Sequence, residues 1–474
     1  MNGLIYQVGR ILGETKSFFI PSQESQDDFC QESELSSFFL KKYHLSTKKE
    51  ETKVILIYPV SILLNKRLPE EFKKRNLHDL EREIKDIVEN PDEYLKNPVS
   101  YIRKIPCEND KDDILVIHSL GTYEKVELKG DYDDIVLELF FDMVKRYLRE
   151  QIQEFYLDIS SGLNIYISAM IEAARYFSIF ATLVNWPGEN SPKITITFSD
   201  PIIGSTASKY EIHFQKQVYP TAFESPFLSY FKRTYQGTKL TEDELNRFLK
   251  TEIFRDNEKL IRPLKRSLSE KLLKSFWIYS AIINCVPLFL YYENKHTEQE
   301  IFQEIENLIE YAEKKLYSNY RKSPKLNKEA YVEIICQLGL YIGMIRMLQS
   351  KDIKPINRDT GVSLKRIESV FKEILTQIGF NHSLTFLLNE VDLMIIKTNR
   401  YLEKTENQVN GWFSMREVID PGSKSTLSER NFFAHIGLAR DITELRKGTD
   451  ETIYVRYNEH TSLDEVREYL LRNI

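Results

Sequence analysis

The sequence predicts an α/β, Rossmann-like N-terminal domain followed by an all-α C-terminal domain. Three observations carry this. Up to about residue 215, short apolar runs alternate with amphipathic runs of helical length. From about residue 225 the strand patterns stop and helical periodicity continues alone. A chain of 474 residues has room for two or three domains, each with its own core.

Each element has its own signal. "LIYQV" (4–8) is a short apolar run closed by Gly9, and "KVILIYPV" (53–60) is a second. "PEEFKKRNLHDLEREIKDIVE" (69–89) reads as a helix with proline at its start. "DILVIHSL" (113–120) is a third apolar run, stopped by Gly121. "YDDIVLELFFDMVKRYLREQI" (132–152) is a strongly amphipathic helix. A strand at "EFYLDIS" (154–160), a helix at 163–180 and an alternating strand at "KITITFSD" (193–200) complete the series. Strands spaced by helices imply βαβ units and a mostly parallel sheet. Ligands bind such sheets beyond the carboxyl ends of the strands. The loops at Gly9, Gly121 and Ser160–Asn164 are expected on that edge. Helical patterns then occupy 240–257, 258–292, 298–321, 328–350, 363–379, 382–406 and 426–447. The expected boundaries are a ligand-sensing domain over 1–220, a helical linker over 221–270 and a second domain over 271–474.

Composition excludes several classes. The net charge of −6 argues against a protein that coats nucleic acid by bulk charge. Four scattered cysteines, Cys30, Cys107, Cys285 and Cys336, form no Cys-x-x-Cys pair, so neither a disulfide framework nor a zinc site is expected. A reducing cytoplasm fits, and no signal-peptide pattern opens the chain. The longest apolar run, 275–292, carries Ser275, Ser280, Asn284 and Pro287 and falls short of the ~20 residues of a span. It reads as a buried helix kinked at Pro287, and no membrane partner is expected.

Two stretches carry chemistry. In "DISSGLN" (158–164), Ser160 and Ser161 offer hydroxyls and Gly162 lets a ligand approach the backbone. Leu163 and Asn164 open a helix whose free N–H groups favour an anion. The bland alternative is an ordinary strand-to-helix turn with Ser161 as N-cap. No Gly-x-Gly-x-x-Gly or Gly-x4-Gly-Lys-Ser/Thr run exists, which disfavours a dinucleotide enzyme or a P-loop ATPase. In "SERNFFAHIGL" (428–438), Thr426 and Glu429 have capping-box spacing, so a helix should begin near Thr426. Asn431 and His435 then share a face, with Arg430 and His435 about 140° apart. Arginine can steady the charge of a phosphodiester transition state, and histidine moves protons at neutral pH. RNA supplies its own 2′-hydroxyl nucleophile, so no metal is required. The alternative is a surface arginine and a core-edge histidine, with Phe432, Phe433 and Ile436 packing inward. "KLIRPLKRSLSEKLLK" (259–274) has six basic residues and one acidic. It reads as a solvated helix face or as a guide for RNA, with Lys265 and Arg266 foremost.

Taken together, the N-terminal half resembles a CARF domain, the sensor of type III CRISPR systems, through "DISSGLN", the Gly9 and Gly121 loops and "SDP" (199–201). The C-terminal half resembles a HEPN ribonuclease domain, whose motif of Arg, a polar residue, three residues and His is matched by Arg430, Asn431 and His435. The order resembles the CRISPR-associated CARF–HEPN ancillary ribonucleases over essentially the whole chain. Ser160 and Ser161 stand where close relatives often carry Thr-His, which leaves ring size and ring cleavage open. The resemblance implies a homodimer, or a higher oligomer, that binds cyclic oligoadenylate, commonly the tetra-adenylate ring, as allosteric activator. Gly9, Arg10, Gly121, Thr122, Ser160, Ser161, Gly162, Leu163 and Asn164 would line that ligand. It implies metal-independent endonucleolytic cleavage of single-stranded RNA, with no catalytic cofactor and 2′,3′-cyclic phosphate products. A ligand-responsive DNA-binding transcription regulator and a silent HEPN-type dimerisation module are the competing readings.

Overall fold

The computed structural model describes residues 3–22, 28–106, 112–186, 190–201, 206–219, 221–236, 238–255, 261–357, 359–405, 411–419, 421–422 and 428–474. Its N-terminal strand, β1 (Gly3–Val8), is buried at every position. Parallel strands covered on both faces need continuous apolar runs, and the sequence supplies them. β1 pairs in parallel with β4 (Thr52–Pro59) on one side and with β8 (Glu154–Asp158) on the other. β4 pairs in parallel with β5 (Asp113–Ile117), and β8 with β9 (Lys193–Ser199). The sheet is extended past β9 by β10 (Tyr210–Gln217), then β2 (Lys16–Ile20) and β3 (Phe29–Ser33), giving the order β3-β2-β10-β9-β8-β1-β4-β5. Among the parallel strands, the chain passes from β1 to β4 and β5 on one side and then crosses to β8 and β9 on the other. That places the topological switch point between the carboxyl ends of β1 and β8.

Two compact units emerge: Met1–Thr182, Asn190–Thr221 and Ile305–Val332 form one, and Leu183–Glu189, Ala222–Glu304 and Glu333–Ile474 the other. The main division, at 221/222, lies beside the boundary expected at 220, and no separate unit spans the linker expected over 221–270. The stretch 222–270 groups with the C-terminal unit. Ile305–Val332 joins the sheet unit because polar contacts bind it there. Lys145 Nζ lies 2.7 Å from Glu313 Oε2, and the buried Asp134 carboxylate accepts the backbone N–H groups of Lys325 and Leu326 at 2.7 and 2.8 Å.

The second unit is mainly helical, with one small sheet of order β11-β14-β13-β12: β11 (Val362–Ser363), β12 (Phe413–Ser414), β13 (Thr443–Lys447) and β14 (Ile453–Tyr457). The expectation that strands end at 225 is corrected there. β13 falls inside the stretch 426–447 expected to be helical. The helix Arg262–Ile283 stops before Pro287 rather than kinking at it, with Cys285 in the left-handed region at φ 52°. Likewise 69–89 forms two helices, Leu68–Lys74 and His78–Glu89, broken where Asn76 takes φ 57°. Among the described residues two helices, Asn164–Val184 and Lys328–Ser350, have the length and apolarity of a membrane span, and the second is 89% buried within the fold over its most apolar window.

Candidate functional site

At the switch point the chain leaves β1 through Gly9 and Arg10. A Cβ on Gly9 would run into the Tyr58 ring, so only glycine fits. The Arg10 guanidinium Nη2 donates to the Ser160 carbonyl at 3.1 Å, joining the ends of β1 and β8. Arg10 forms no ion pair among the described residues, though its charge partly offsets the burial of the Asp158 carboxyl. Arg10 and Ser160 line a cleft of about 270 Å³ together with Gln7, Lys16, Glu34 and Ser36. Lys16 is paired with Glu14 at 2.8 Å.

The loop after β8 is held by its own backbone. The Ser160 N–H donates to Asp158 Oδ1 at 2.9 Å, and Ser160 Oγ accepts the Ser199 N–H at 2.9 Å. Burial pushes the Asp158 carboxyl above its ordinary range. The helix begins at Asn164, with the Leu163 carbonyl accepting the N–H of Tyr166 and Ile167 at 3.1 and 3.2 Å. Ser161 is therefore not the N-cap: its hydroxyl is buried and has no hydrogen-bond partner. No acidic residue sits in the first turn, which leaves the helix's N-terminal partial charge uncompensated. A Cβ on Gly162 would meet nothing within 4 Å. The free chain gives no reason for glycine there, whereas a ligand pressed against the backbone would. Gly121 and Thr122 lie in the hairpin of β6 (Leu120–Tyr123) and β7 (Val126–Lys129) beyond β5, with β4 between that strand and β1. Gly121 takes φ 113°, a conformation that excludes other residues.

In the second unit, Ser428 caps a short helix, Glu429–Ala434, by accepting the Asn431 N–H at 3.3 Å. Thr426, the expected cap, lies outside the described residues. Phe432 is buried and packs on Tyr469 at 5.7 Å between ring centroids, which fixes the helix rotation. Arg430 is consequently exposed, with no partner among the described residues. The helix ends one residue before His435, because Ile436 and Gly437 take φ 49° and 74°. A Cβ on Gly437 would collide with Val286. His435 still stacks one turn from Asn431, its N–H donating to the Asn431 carbonyl at 3.2 Å.

The imidazole is oriented by a residue the sequence reading did not find. His435 Nδ1 lies 2.7 Å from Glu390 Oε1, on the helix Asn381–Thr405. With a carboxylate accepting the Nδ1 proton, the lone pair is on Nε2, the nitrogen free for proton transfer. Glu390 sits 45 residues from His435, and no local pattern links them. Among the described residues no three His, Cys, Asp or Glu side chains gather as a metal-ligating set.

Two family models match the chain. Residues 4–201 match that of the CARF domain of the CRISPR system endoribonuclease Csx1, and residues 383–459 match that of the Csx1 HEPN domain. The first spans the loops at Gly9, Gly121 and Ser160–Asn164. The second spans Glu390, Arg430, Asn431 and His435. Together they cover more than half of the chain. No curated protein matches it.

Proposed function

The chain belongs to the CRISPR-associated CARF–HEPN ancillary ribonucleases, and from that premise we propose a homodimeric, metal-independent endoribonuclease switched on by a cyclic oligoadenylate. The family supplies the coarse activity: cleavage of RNA under control of a small-molecule sensor domain. The finer reading rests on this chain's residues.

One observation carries it: His435, in the HEPN-type motif with Arg430, is held by Glu390 through Nδ1 and keeps Nε2 free. In the proposed reaction the RNA 2′-hydroxyl attacks the adjacent phosphorus and the P–O5′ bond breaks. The 2′-hydroxyl proton is removed and the 5′-oxygen is protonated, leaving a 2′,3′-cyclic phosphate and a 5′-hydroxyl. His435 Nε2 carries protons in this exchange. The Arg430 guanidinium steadies the extra charge on the phosphorane oxygens. Asn431 orients one of these groups.

Activation is proposed to come from a tetra-adenylate ring shared by two sensor domains. One cleft of about 270 Å³ falls below the ~300–1,000 Å³ of pockets for drug-sized ligands. A tetranucleotide ring is larger than those ligands, so two copies facing across a two-fold axis would be needed. The ring's preference for one of two dimer arrangements would then bias the nuclease site.

The test is RNA cleavage by wild type and His435→Ala, alone and with cyclic tetra-adenylate or cyclic hexa-adenylate, in EDTA throughout. Activity that needs a ring, survives EDTA, leaves cyclic phosphate ends and vanishes in His435→Ala is expected. Ring-independent cleavage, or full activity in His435→Ala, would refute the proposal.

A further inference from the structure

We infer that a groove along the helix Arg262–Ile283 binds single-stranded RNA through residues other than Arg430 and His435; this rests on the ribonuclease reading above. Two adjoining clefts form the groove, of about 500 and 450 Å³. They share Glu242, Leu273, Trp277 and Arg467 as a common wall. From Arg262 to Trp277 the helix rises about 22 Å, which suits several linked nucleotides better than one small anion.

The charge arrangement points to an anion. Arg262, Lys265 and Arg266 crowd the first turns of the helix and line the larger cleft, and no acidic residue occupies the first turn. None of the three has an acidic partner among the described residues. Cations at a helix N-terminus oppose the positive end of its dipole. Burial, and the charge of Lys250, hold the Lys265 ammonium below its usual range. The free protein therefore holds like charges together against the local field, an arrangement that backbone phosphates would relieve. The acids that line the larger cleft are Glu242 and Glu270, with Glu270 3.5 Å from Lys274, while Asp243, Asp464 and Glu468 line the smaller one, so the phosphates belong to the larger cleft.

Two further groups await a partner. Ser269 lines the cleft at 5% exposure, and its hydroxyl makes no hydrogen bond. The Trp277 indole N–H is also unpartnered, while the Arg467 guanidinium, its charge met by Glu293 and Asp464, lies over the ring at 5.1 Å as a stacking plane. Arginine–aromatic platforms of this kind stack bases without regard to sequence. The groove also adjoins the motif helix: Leu463–Arg472 supplies Arg467 to the groove and Tyr469 to Phe432.

The experiment measures binding of a labelled single-stranded 20-nucleotide RNA by fluorescence anisotropy across a salt series, in a His435→Ala background so that nothing is cut. Lys265→Ala/Arg266→Ala is expected to raise Kd at least about tenfold and to lower the salt slope by about 1.4, two contacts at ~0.7 each. The control pair Lys365→Ala/Lys372→Ala removes the same charge from the exposed face of another helix and should leave both unchanged. Unchanged Kd and slope in the groove variant, or equal weakening by both pairs, would overturn the groove. Failure of wild type to cut RNA would overturn the ribonuclease reading instead, and the binding data would still decide the groove.

Discussion

Replacing Glu390 separates the geometry of the motif from its charge. Its Oε1 accepts from His435 Nδ1 at 2.7 Å, and the two side chains are only 16% and 26% exposed. A hydrogen bond to a charged group in such a setting contributes about 1.5–3 kcal/mol. The bond strengthens when His435 takes a proton at Nε2, so most of that energy is expressed in the transition state. Glu390→Ala should therefore lower kcat by roughly ten- to a hundredfold, since each ~1.4 kcal/mol is one decade. KM should stay within about twofold, because Glu390 acts through His435 rather than on RNA. Glu390→Gln can still accept the Nδ1 proton through its amide oxygen but lacks the charge, so its loss should be smaller. Cleavage of a fluorophore–quencher RNA at saturating activator measures both constants. The ¹⁵N resonances of the His435 ring report whether Nδ1 keeps its proton. A Glu390→Ala enzyme within twofold of wild type, alongside an inactive His435→Ala, would refute the assignment.

Arg430→Ala should leave the melting temperature unchanged, since Arg430 is exposed and unpaired among the described residues, yet cost about 10²–10³ in kcat as a lost anion-stabilising donor. Arg430→Lys should restore little of it, because a point charge does not reproduce the guanidinium fork. Gly162→Ala should change stability by less than about 1 kcal/mol, the new Cβ meeting nothing, while weakening activator binding by calorimetry about tenfold. Unaltered affinity would show that no ligand approaches there; Gly9→Ala makes a poor probe because it strikes Tyr58 in the free chain. Ser161→Ala removes a buried hydroxyl that has no partner, so the free protein should gain up to ~1 kcal/mol while activator affinity falls several-fold. His44 is buried with neither ring nitrogen hydrogen-bonded and its Nδ1 3.6 Å from Glu50 Oε2, and burial, then the Lys48 charge, lower its pKa to about 4. Below its unfolded value of 6.5 the unfolded chain takes up a proton that the folded chain refuses. Stability is thus full above about pH 6.5 and falls as the pH drops toward 4. At ~1.4 kcal/mol per unit, roughly 2 kcal/mol is lost between pH 7.5 and 5. Urea titrations at the two pH values should show that loss in wild type and not in His44→Leu, and identical pH dependence in both would refute it.

The strands around the switch point were legible because burial on both faces leaves a continuous apolar record: β1, β4, β8 and β9 each read directly from the sequence. The added strands leave no such record. β3 exposes most of its residues, and β11 and β12 are two residues long, too short for any period. β13, "TELRK", has a helix-compatible composition, and its extended form is set by pairing with β14 across a turn at Gly448. Gly437 was visible inside the stretch expected to be helical, and the observed helix stops just before it. Its reason was not, since Val286, the side chain that excludes a Cβ there, lies 151 residues earlier in the chain.

The candidate sites divide along the same physical line. Where the proposed ligand site would need backbone, the sequence records it: glycine at 9 and 162, and serines between a strand and a helix. Where function needs one side chain to orient another, the requirement is a distance in space, and Glu390 could be found only from the folded chain. The described groups also share a property that packing alone does not produce. Around each site a scaffold is fully determined — Arg10 on the Ser160 carbonyl, Ser160 on Ser199, Phe432 on Tyr469, His435 on Glu390 — while one polar group beside it is left unpaired. A fold selected for stability alone would pair or remove the Ser161 hydroxyl. Retaining the Ser161 hydroxyl costs free energy in the isolated chain, a cost that the proposed phosphate-bearing ligand would offset.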